Sequence, residues 1–166
     1  MTRWYGSVQN RIEEGRQLVP QIEVGTDITM YLWSDRTCYY VTEVTDQKHI
    51  KVRPYRVIAD RSKTGGMGHQ NWLYFKTNAD ADAYLKQYFP DHVDCGFEQP
   101  EESWAFRYGN WYHEWVYTAE DLPNVKDWMT EKEVQKLMNG KTVTKYSALS
   151  GRVSIGVRNY HYDWEF

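Results

Sequence analysis

The sequence has few of the features that mark disulfide-rich, zinc-binding or membrane-spanning proteins. Its 166 residues include only two cysteines, Cys38 and Cys95, which are far apart and not in a paired-ligand spacing. A disulfide scaffold and a cysteine-based zinc site are therefore poorly supported, and we expect reduced thiols. No run of about 18 apolar residues occurs, and the amino terminus lacks the apolar core of a signal peptide. We expect a cytoplasmic protein without membrane association or cofactor.

A strong excess of charge of one sign is also missing. The net charge is −3, so the molecule as a whole does not attract nucleic acid. A basic region nevertheless contains Lys48, Lys51, Arg53, Arg56, Arg61 and Lys63. A later acidic region contains Asp91, Asp94, Glu98, Glu101, Glu102, Glu114, Glu120 and Asp121. Such runs are most often solvated faces.

Aromatic residues are what the sequence has in excess. They form 16% of the chain, with 8 Trp and 14 Tyr, whereas the hydrophobic and charged fractions are near the globular average. Trp and Tyr favour strands and interfaces because each combines a large apolar body with a polar tip. The length suits one core, and no linker, repeat or low-complexity segment divides the chain. We therefore predict a single domain over residues 1–166.

Strand-like patterns cover most of the chain. They predict an antiparallel meander, a second hairpin that turns at Gly109 and Asn110, and a strand at the carboxyl terminus. The predicted strands are residues 28–33, 37–44, 49–53, 55–58, 71–76, 104–108, 111–117 and 152–166.

Two helices are predicted between the strands. Asn78 would cap a helix over residues 79–89. Thr130 and Glu133 have the spacing of a capping box, and Gly140 suits the left-handed exit of the second helix. Together the elements predict an α+β fold: an antiparallel, strongly twisted sheet, or a small barrel, with two short covering helices.

No catalytic signature is present in the sequence. Residues 91–95 contain ligand-type groups, but no second half-site at metal spacing accompanies them. His113 and Glu114 are neighbours on a predicted strand, so they would point to opposite faces. His161 and Asp163 would share a face, where cross-strand polar pairing is the favoured role. We therefore expect no enzymatic activity and no metal site.

Several short aromatic and charged segments lie along the predicted sheet and terminus. They are Trp33-Ser-Asp-Arg36, Val41-Thr-Glu-Val44, Ile50-Lys-Val-Arg53, Ala59-Asp60, Gly66-Met67, Gln70, Arg107-Tyr-Gly-Asn-Trp111, Ser154-Ile-Gly-Val-Arg158 and Tyr160-His-Tyr-Asp-Trp-Glu-Phe166. In these segments the chain resembles a family of small proteins encoded by phages and prophages, mostly of Firmicutes. Residues 78–100 and 118–147 depart from that family and resemble insertions.

The resemblance implies a phage setting rather than a mechanism. Phage accessory proteins of this size often bind host machinery, so it implies stoichiometric binding of a host protein, such as inhibition of a CRISPR-type defence nuclease. Exposed aromatic residues beside arginine are typical of interface hot spots. The predicted partner-binding residues are Trp33, Asp35, Arg36, Tyr39, Arg53, Trp111 and Tyr112. Glu101 and Glu102, in the acidic region, would imitate nucleic-acid phosphates in a basic groove of the partner.

Two other functions stay open. A basic and aromatic sheet face would bind RNA or single-stranded DNA. The residues predicted for that face are Lys51, Arg53, Tyr55, Arg56 and Arg61. A small virion or assembly component would instead associate with itself. The sequence determines neither the partner nor the oligomeric state.

Overall fold

A computed structural model describes residues 21–60, 70–94 and 96–162. Within them the chain forms nine strands, three α-helices and one 3-10 turn, so the α+β class is confirmed. The strands are Asp27–Leu32 (β1), Asp35–Asp46 (β2), His49–Pro54 (β3), Arg56–Ala59 (β4), Trp72–Phe75 (β5), Glu102–Arg107 (β6), Asn110–Tyr117 (β7), Val143–Ala148 (β8) and Arg152–Ile155 (β9). The helices are Asn78–Tyr88 (α1), Leu122–Val125 (α2) and Glu131–Met138 (α3), and the 3-10 turn is Ala119–Asp121. Arg61, Cys95 and residues 163–166 lie outside the described residues.

Seven strands form one antiparallel sheet in the order β8-β7-β6-β3-β2-β1-β9. The predicted meander is confirmed as β1, β2 and β3, which pair in sequence. Residues 55–58 do not extend it. Pro54 ends β3, and β4 pairs with β5 in a separate two-stranded sheet. A proline at this point suits the end of a strand, because it has no backbone N–H for a further ladder bond.

The large sheet is strongly curled. β8 and β9 are its two edges, yet only residues 149–151 join them. The six strand spacings of a flat sheet would separate the edges by about 29 Å, whereas four Cα–Cα steps span at most about 15 Å. Register shifts in β2, between Val41 and Glu43 and between Val44 and Asp46, add local twist. No ladder joins β8 to β9 among the described strands, so the predicted small barrel is wrong and the curled sheet stays open.

Each face of the large sheet buries a different set of residues, as the period of two along a strand requires. The inner face carries the main core, which consists of Ile22, Ile28, Met30, Val41, Ile50, Val52 and Trp104. On the outer face, Cys38 and Tyr40 of β2 pack with Tyr55 and with residues of β4 and β5. A small third core fills the space between the helices and β8, and consists of Val125, Met129, Leu137 and Val143.

The two predicted helices are present, and a short third helix, α2, was not predicted. The capping box of Thr130 and Glu133 is confirmed at the start of α3, and Gly140 has a φ of 76° beyond its end. The cap of α1 is Thr77 rather than Asn78, because the Thr77 hydroxyl accepts the backbone N–H of Asp80. α1 packs against β4 and β5, and α3 packs against β8, so the helices cover the small sheet and one edge rather than a face of the large sheet.

Candidate functional site

A cleft of about 550 Å³ lies where the β6–β7 turn approaches the residues that join β8 to β9. We call it the edge cleft, and its lining residues are Phe106, Gly109, Asn110, Trp111, Tyr112, Ala148, Leu149, Gly151, Arg152 and Val153. Trp111, Leu149 and Val153 also pack against the main core and give the cleft an apolar floor, although polar atoms make up more than half of its lining. The volume is within the range of protein ligand sites, roughly 300–1,000 Å³. Trp111 and Tyr112, two of the predicted partner-binding residues, line this cleft.

The β6–β7 turn presents a strained, exposed aromatic residue beside the edge cleft. Tyr108 and Gly109 have φ angles of 51° and 80°, which is the pattern of a type I′ turn. Asparagine or glycine is preferred at its first position, since a bulky side chain with positive φ is strained. The Tyr108 side chain is 84% exposed, so burial does not explain its presence there. Strain of this kind is a reason to look for function at the turn.

Trp33, a predicted partner-binding residue, occupies the corresponding position in the β1–β2 turn. Its side chain is fully exposed, and its φ of 27° is again positive. The link of residues 149–151 touches the same end of β1. A Cβ atom at Gly151 would lie 2.0 Å from the carbonyl oxygen of Tyr31, an approach that only glycine permits. The β1–β2 turn therefore lies next to the edge cleft.

Two arginines flank the edge cleft. Arg107 pairs across the hairpin with Asn110, and its Cζ lies 3.9 Å from the ring centre of Tyr146 and 5.3 Å from that of Tyr108. Arg152 of β9 lines the cleft and is exposed. Within the described ranges, the ion pairs involve lysine and histidine, and neither arginine has a carboxylate partner. Stacking and a hydrogen bond of 3.4 Å to the Tyr108 hydroxyl hold the Arg107 guanidinium, and its other N–H groups can donate to an anion.

Two strand edges border the edge cleft, and both lack a ladder on the cleft side in the described part of the chain. β9 pairs with β1 alone. The ladder between β7 and β8 begins at Tyr112, so Asn110 and Trp111 pair with β6 only. Unpaired N–H and C=O groups along an edge are a template for one more strand. The cleft therefore offers main-chain hydrogen bonds as well as apolar contacts.

Two other predicted partner-binding residues lie away from this cleft. Tyr39 is half-buried on the inner face, with its ring 5.0 Å from that of Trp104 in an edge-on contact. Burial raises the pKa of Tyr39 to about 12. Arg53 lies on the outer face opposite Tyr40, and its Nε is buried with no hydrogen-bond partner among the described residues. The structure therefore separates both residues from the exposed surface at Trp33.

Asp35 and Arg36 follow Trp33 and are half-buried at the start of β2. The backbones of Arg36 and His161 exchange hydrogen bonds of 2.8 and 3.2 Å, which tie the carboxyl-terminal segment to β2. The predicted terminal strand is confirmed only for its first residues, which form β9 beside β1. β9 ends at Ile155, because Gly156 takes a φ of 84° and turns the chain.

The acidic pair Glu101 and Glu102 does not face a single direction. Glu101 is exposed and accepts a hydrogen bond of 2.6 Å from the Thr42 hydroxyl. Glu102 lies on the inner face, where its carboxylate is 3.3 Å from Nδ1 of His113. Both carboxylates thus have partners within the fold.

The residues predicted for nucleic-acid binding are only partly brought together. Lys51 lies on the outer face and forms an ion pair of 3.3 Å with Glu43. The Tyr55 ring is buried, and its hydroxyl donates to Asp27, so it offers no open face for a base. Burial, with that hydrogen bond, raises the pKa of Tyr55 to about 12. Arg56 belongs to β4 in the other sheet, and Arg61 lies outside the described residues.

Three histidines pair with one or two carboxylates each. The pairs are His49 with Asp46 (2.9 Å) and with Glu114 (3.8 Å), His92 with Asp82 (2.9 Å), and His113 with Glu102 (3.3 Å). His113 and Glu114 therefore point to opposite faces of β7, as predicted. The described residues contain no group of three or more His, Cys, Asp and Glu side chains that would hold a metal ion.

A second exposed aromatic group lies at the far end of β7. Trp115 and Trp128 are about half exposed, but their surroundings differ from those of the edge cleft. Trp115 Nε1 donates to the Ser147 hydroxyl at 3.0 Å, and Lys145 near Trp128 is paired with Glu133. Lys145 therefore has a carboxylate partner here, whereas the two arginines at the cleft have none among the described residues.

Sequence reasoning missed four residues around the edge cleft: Tyr108, Arg107, Tyr146 and Arg152. The predicted turn at Gly109 and Asn110 is wrong by one residue, and the true turn residues are Tyr108 and Gly109. A glycine at the second turn position was the available signal, because a type I′ turn favours glycine there. That placement would have put Tyr108 at an exposed tip. Arg152 and Tyr146 gave no comparable signal.

No protein-family model, curated protein or solved structure matches this chain. Among the described residues, no helix is both long enough and apolar enough to cross a membrane.

Proposed function

We propose that the protein acts by stoichiometric binding of another protein at the edge cleft and the two exposed turns beside it. The supporting observation is that Trp33 and Tyr108 are exposed and have positive φ angles in two turns beside one cleft. Such residues contribute nothing to a core, and aromatic side chains are enriched at interface hot spots. Arg107 and Arg152 add the residue type that most often accompanies them.

The resemblance to phage-encoded accessory proteins supports a host protein as the partner. A defence nuclease of the CRISPR type is the class that such a protein would inhibit, by occupying a surface that the nuclease needs. This role requires binding energy and specificity, and no chemical step by the inhibitor itself. The aromatic rim of the cleft supplies contact area, and the arginines supply directed polar contacts.

The test is capture of the partner from a lysate of the host by the full-length protein and by a turn variant. The variant combines Trp33→Gly with Tyr108→Asn, because both new residues tolerate a positive φ and should leave the fold intact. The matched control is Phe97→Ala, which removes an aromatic side chain that is 96% exposed in a different loop. We expect one protein that the wild type and the control retain in a fixed stoichiometry and that the turn variant loses.

Retention of the same partner by the turn variant would contradict the proposal. A salt titration with a mixed single-stranded oligonucleotide tests the nucleic-acid alternative, because phosphate contacts lose affinity steeply as salt rises. Tight, salt-sensitive binding of that oligonucleotide would favour the alternative. Concentration-dependent sedimentation of the isolated protein would favour a self-assembling component.

A further inference from the structure

We infer that the edge cleft takes up an acidic, extended peptide segment of the partner, which adds as a strand along β9. This inference rests on the proposed function and specifies the chemistry of its partner. It depends on three observations: unpaired strand edges, an apolar floor, and arginines without carboxylate partners.

The unpaired strand edges provide backbone groups that can form hydrogen bonds with the peptide. β9 has β1 on one side, and its other side faces the cleft without a ladder to any described strand. An extended peptide laid there would form backbone hydrogen bonds that do not depend on its sequence. Asn110 and Trp111, which pair only with β6, bring a second partly unpaired edge to the same cleft.

The alternation of β9 determines which side chains the peptide needs. Val153 and Ile155 pack against the main core, whereas Arg152 lies opposite the exposed Tyr31. A neighbouring strand presents its side chains to the same two faces in turn. Every second peptide residue would therefore meet the apolar floor formed with Trp111, and the residues between would lie beside Arg152.

The arginines at the edge cleft determine the charge that the peptide should carry. The lining of the edge cleft contains Arg152 and no acidic residue, and Arg107 stacks on Tyr146 beside it. With no carboxylate partner in the described part of the chain, both guanidinium groups remain available to carboxylates of the peptide. A peptide that alternates apolar with acidic residues matches the floor, the edge and the arginines together. A nucleic acid would match the arginines but could not extend the sheet.

The experiment selects peptides from a displayed library of random 12-residue sequences on the full-length protein. We expect the enriched peptides to alternate apolar and acidic residues. Arg152→Glu should weaken the binding of a synthesised peptide by at least about tenfold, which is the effect of one lost charge-assisted contact. Arg152→Lys should retain part of the affinity. Lys132→Glu on α3 makes the same charge change at an exposed position away from the cleft and should have no effect.

N-methylation of the peptide tests the added strand directly. Alternate N–H groups of a strand point toward its neighbour, so methylation of one position at a time should abolish binding at every second residue. Uniform tolerance to methylation would contradict the inference. Failure to enrich any peptide, enrichment of peptides without acidic residues, or equal binding by Arg152→Glu would contradict it too. A wild-type dimer that Arg152→Glu dissociates would make the occupant a second copy of the chain, which also overturns it.

These outcomes can be told apart from failure of the proposed function. If the turn variant loses the lysate partner but peptide binding shows no period of two, partner binding stands and strand addition is wrong. If the turn variant keeps the lysate partner, the proposed function is wrong regardless of the peptide result.

Discussion

The inner face of the large sheet and the rim of the edge cleft place the same residue types in opposite environments. Trp104 and Tyr39 on the inner face are buried or half-buried and contact each other at 5.0 Å. Trp33 and Tyr108 at the rim are exposed on turns whose backbone would prefer a smaller residue. The comparison shows that the aromatic residues fall into a packed group and an exposed group, and we propose that the exposed group serves recognition.

The largest expected difference between the two regions is in stability. Trp104→Ala should lower the free energy of unfolding by about 3–5 kcal/mol, because it leaves a cavity in a fully buried site. Trp33→Ala removes an equally large side chain that is fully exposed, so it should change the free energy of unfolding by less than about 0.5 kcal/mol. Denaturant unfolding of both variants measures the difference. Similar losses of stability in the two variants would mean that Trp33 packs against the rest of the fold, which would contradict its proposed role in binding a partner.

The second prediction concerns the link that closes the cleft. Gly151→Ala places a Cβ 2.0 Å from the Tyr31 carbonyl oxygen, so the link or β1 must move. We expect a loss of about 1–3 kcal/mol, as for other overpacked positions, together with weaker partner binding. Gly96→Ala is the matched control, because a Cβ there meets nothing within 4 Å. Equal stability of the two variants would contradict the close contact on which the position of the β1–β2 turn depends.

The third prediction is a loss of stability in alkali. Burial raises the pKa of Tyr39 and of Tyr55 to about 12 from an ordinary 10.0. Below pH 10 both are protonated in the folded and unfolded states, and their contribution is fully present. Between about pH 10 and pH 12 the unfolded state loses these protons first, so stability falls as pH rises. Chemical denaturation across this range measures the free energy of unfolding at each pH. Tyr39→Phe should make that free energy fall less steeply as pH rises. Tyr108→Phe, at an exposed position, is the matched control.

The smallest predicted effect separates stability from recognition at one residue. Tyr108→Asn should raise the free energy of unfolding by about 1 kcal/mol, since asparagine followed by Gly109 is a preferred type I′ pair. The same change removes an exposed ring beside the edge cleft and should weaken partner binding. Thermal or denaturant unfolding checks the first part. A loss of stability would show that the Tyr108 ring contributes to the fold, and the functional argument from strain would fail.

Local signals in the sequence predicted the elements that depend on neighbouring residues. The meander follows from alternation along β1 to β3, and α3 follows from the capping box of Thr130 and Glu133. The α+β class and the antiparallel sheet follow from those elements. Pairing of β4 with β5 in a second sheet depends on contacts remote in sequence, so periodicity alone did not predict it.

The candidate site was predicted only in part, for a related reason. Trp33, Trp111 and Tyr112 lie at or beside the edge cleft, whereas Tyr39 packs against the main core, because alternation along a strand does not indicate which face is the inner one. The cleft itself forms where residues far apart in sequence meet, through the curl that brings β9 back toward β7. Arg152 had no local signal for function, because its position beside the β6–β7 turn exists only in the folded chain.

The most direct test is hydrogen exchange of the protein alone and in complex with the captured partner. We predict slower exchange of backbone amides in two segments that border the edge cleft, residues 108–111 and Arg152–Ile155, while amides of α3 remain unchanged. Protection centred instead on Trp115 and Trp128 at the far end of β7, with no change at either segment, would contradict it.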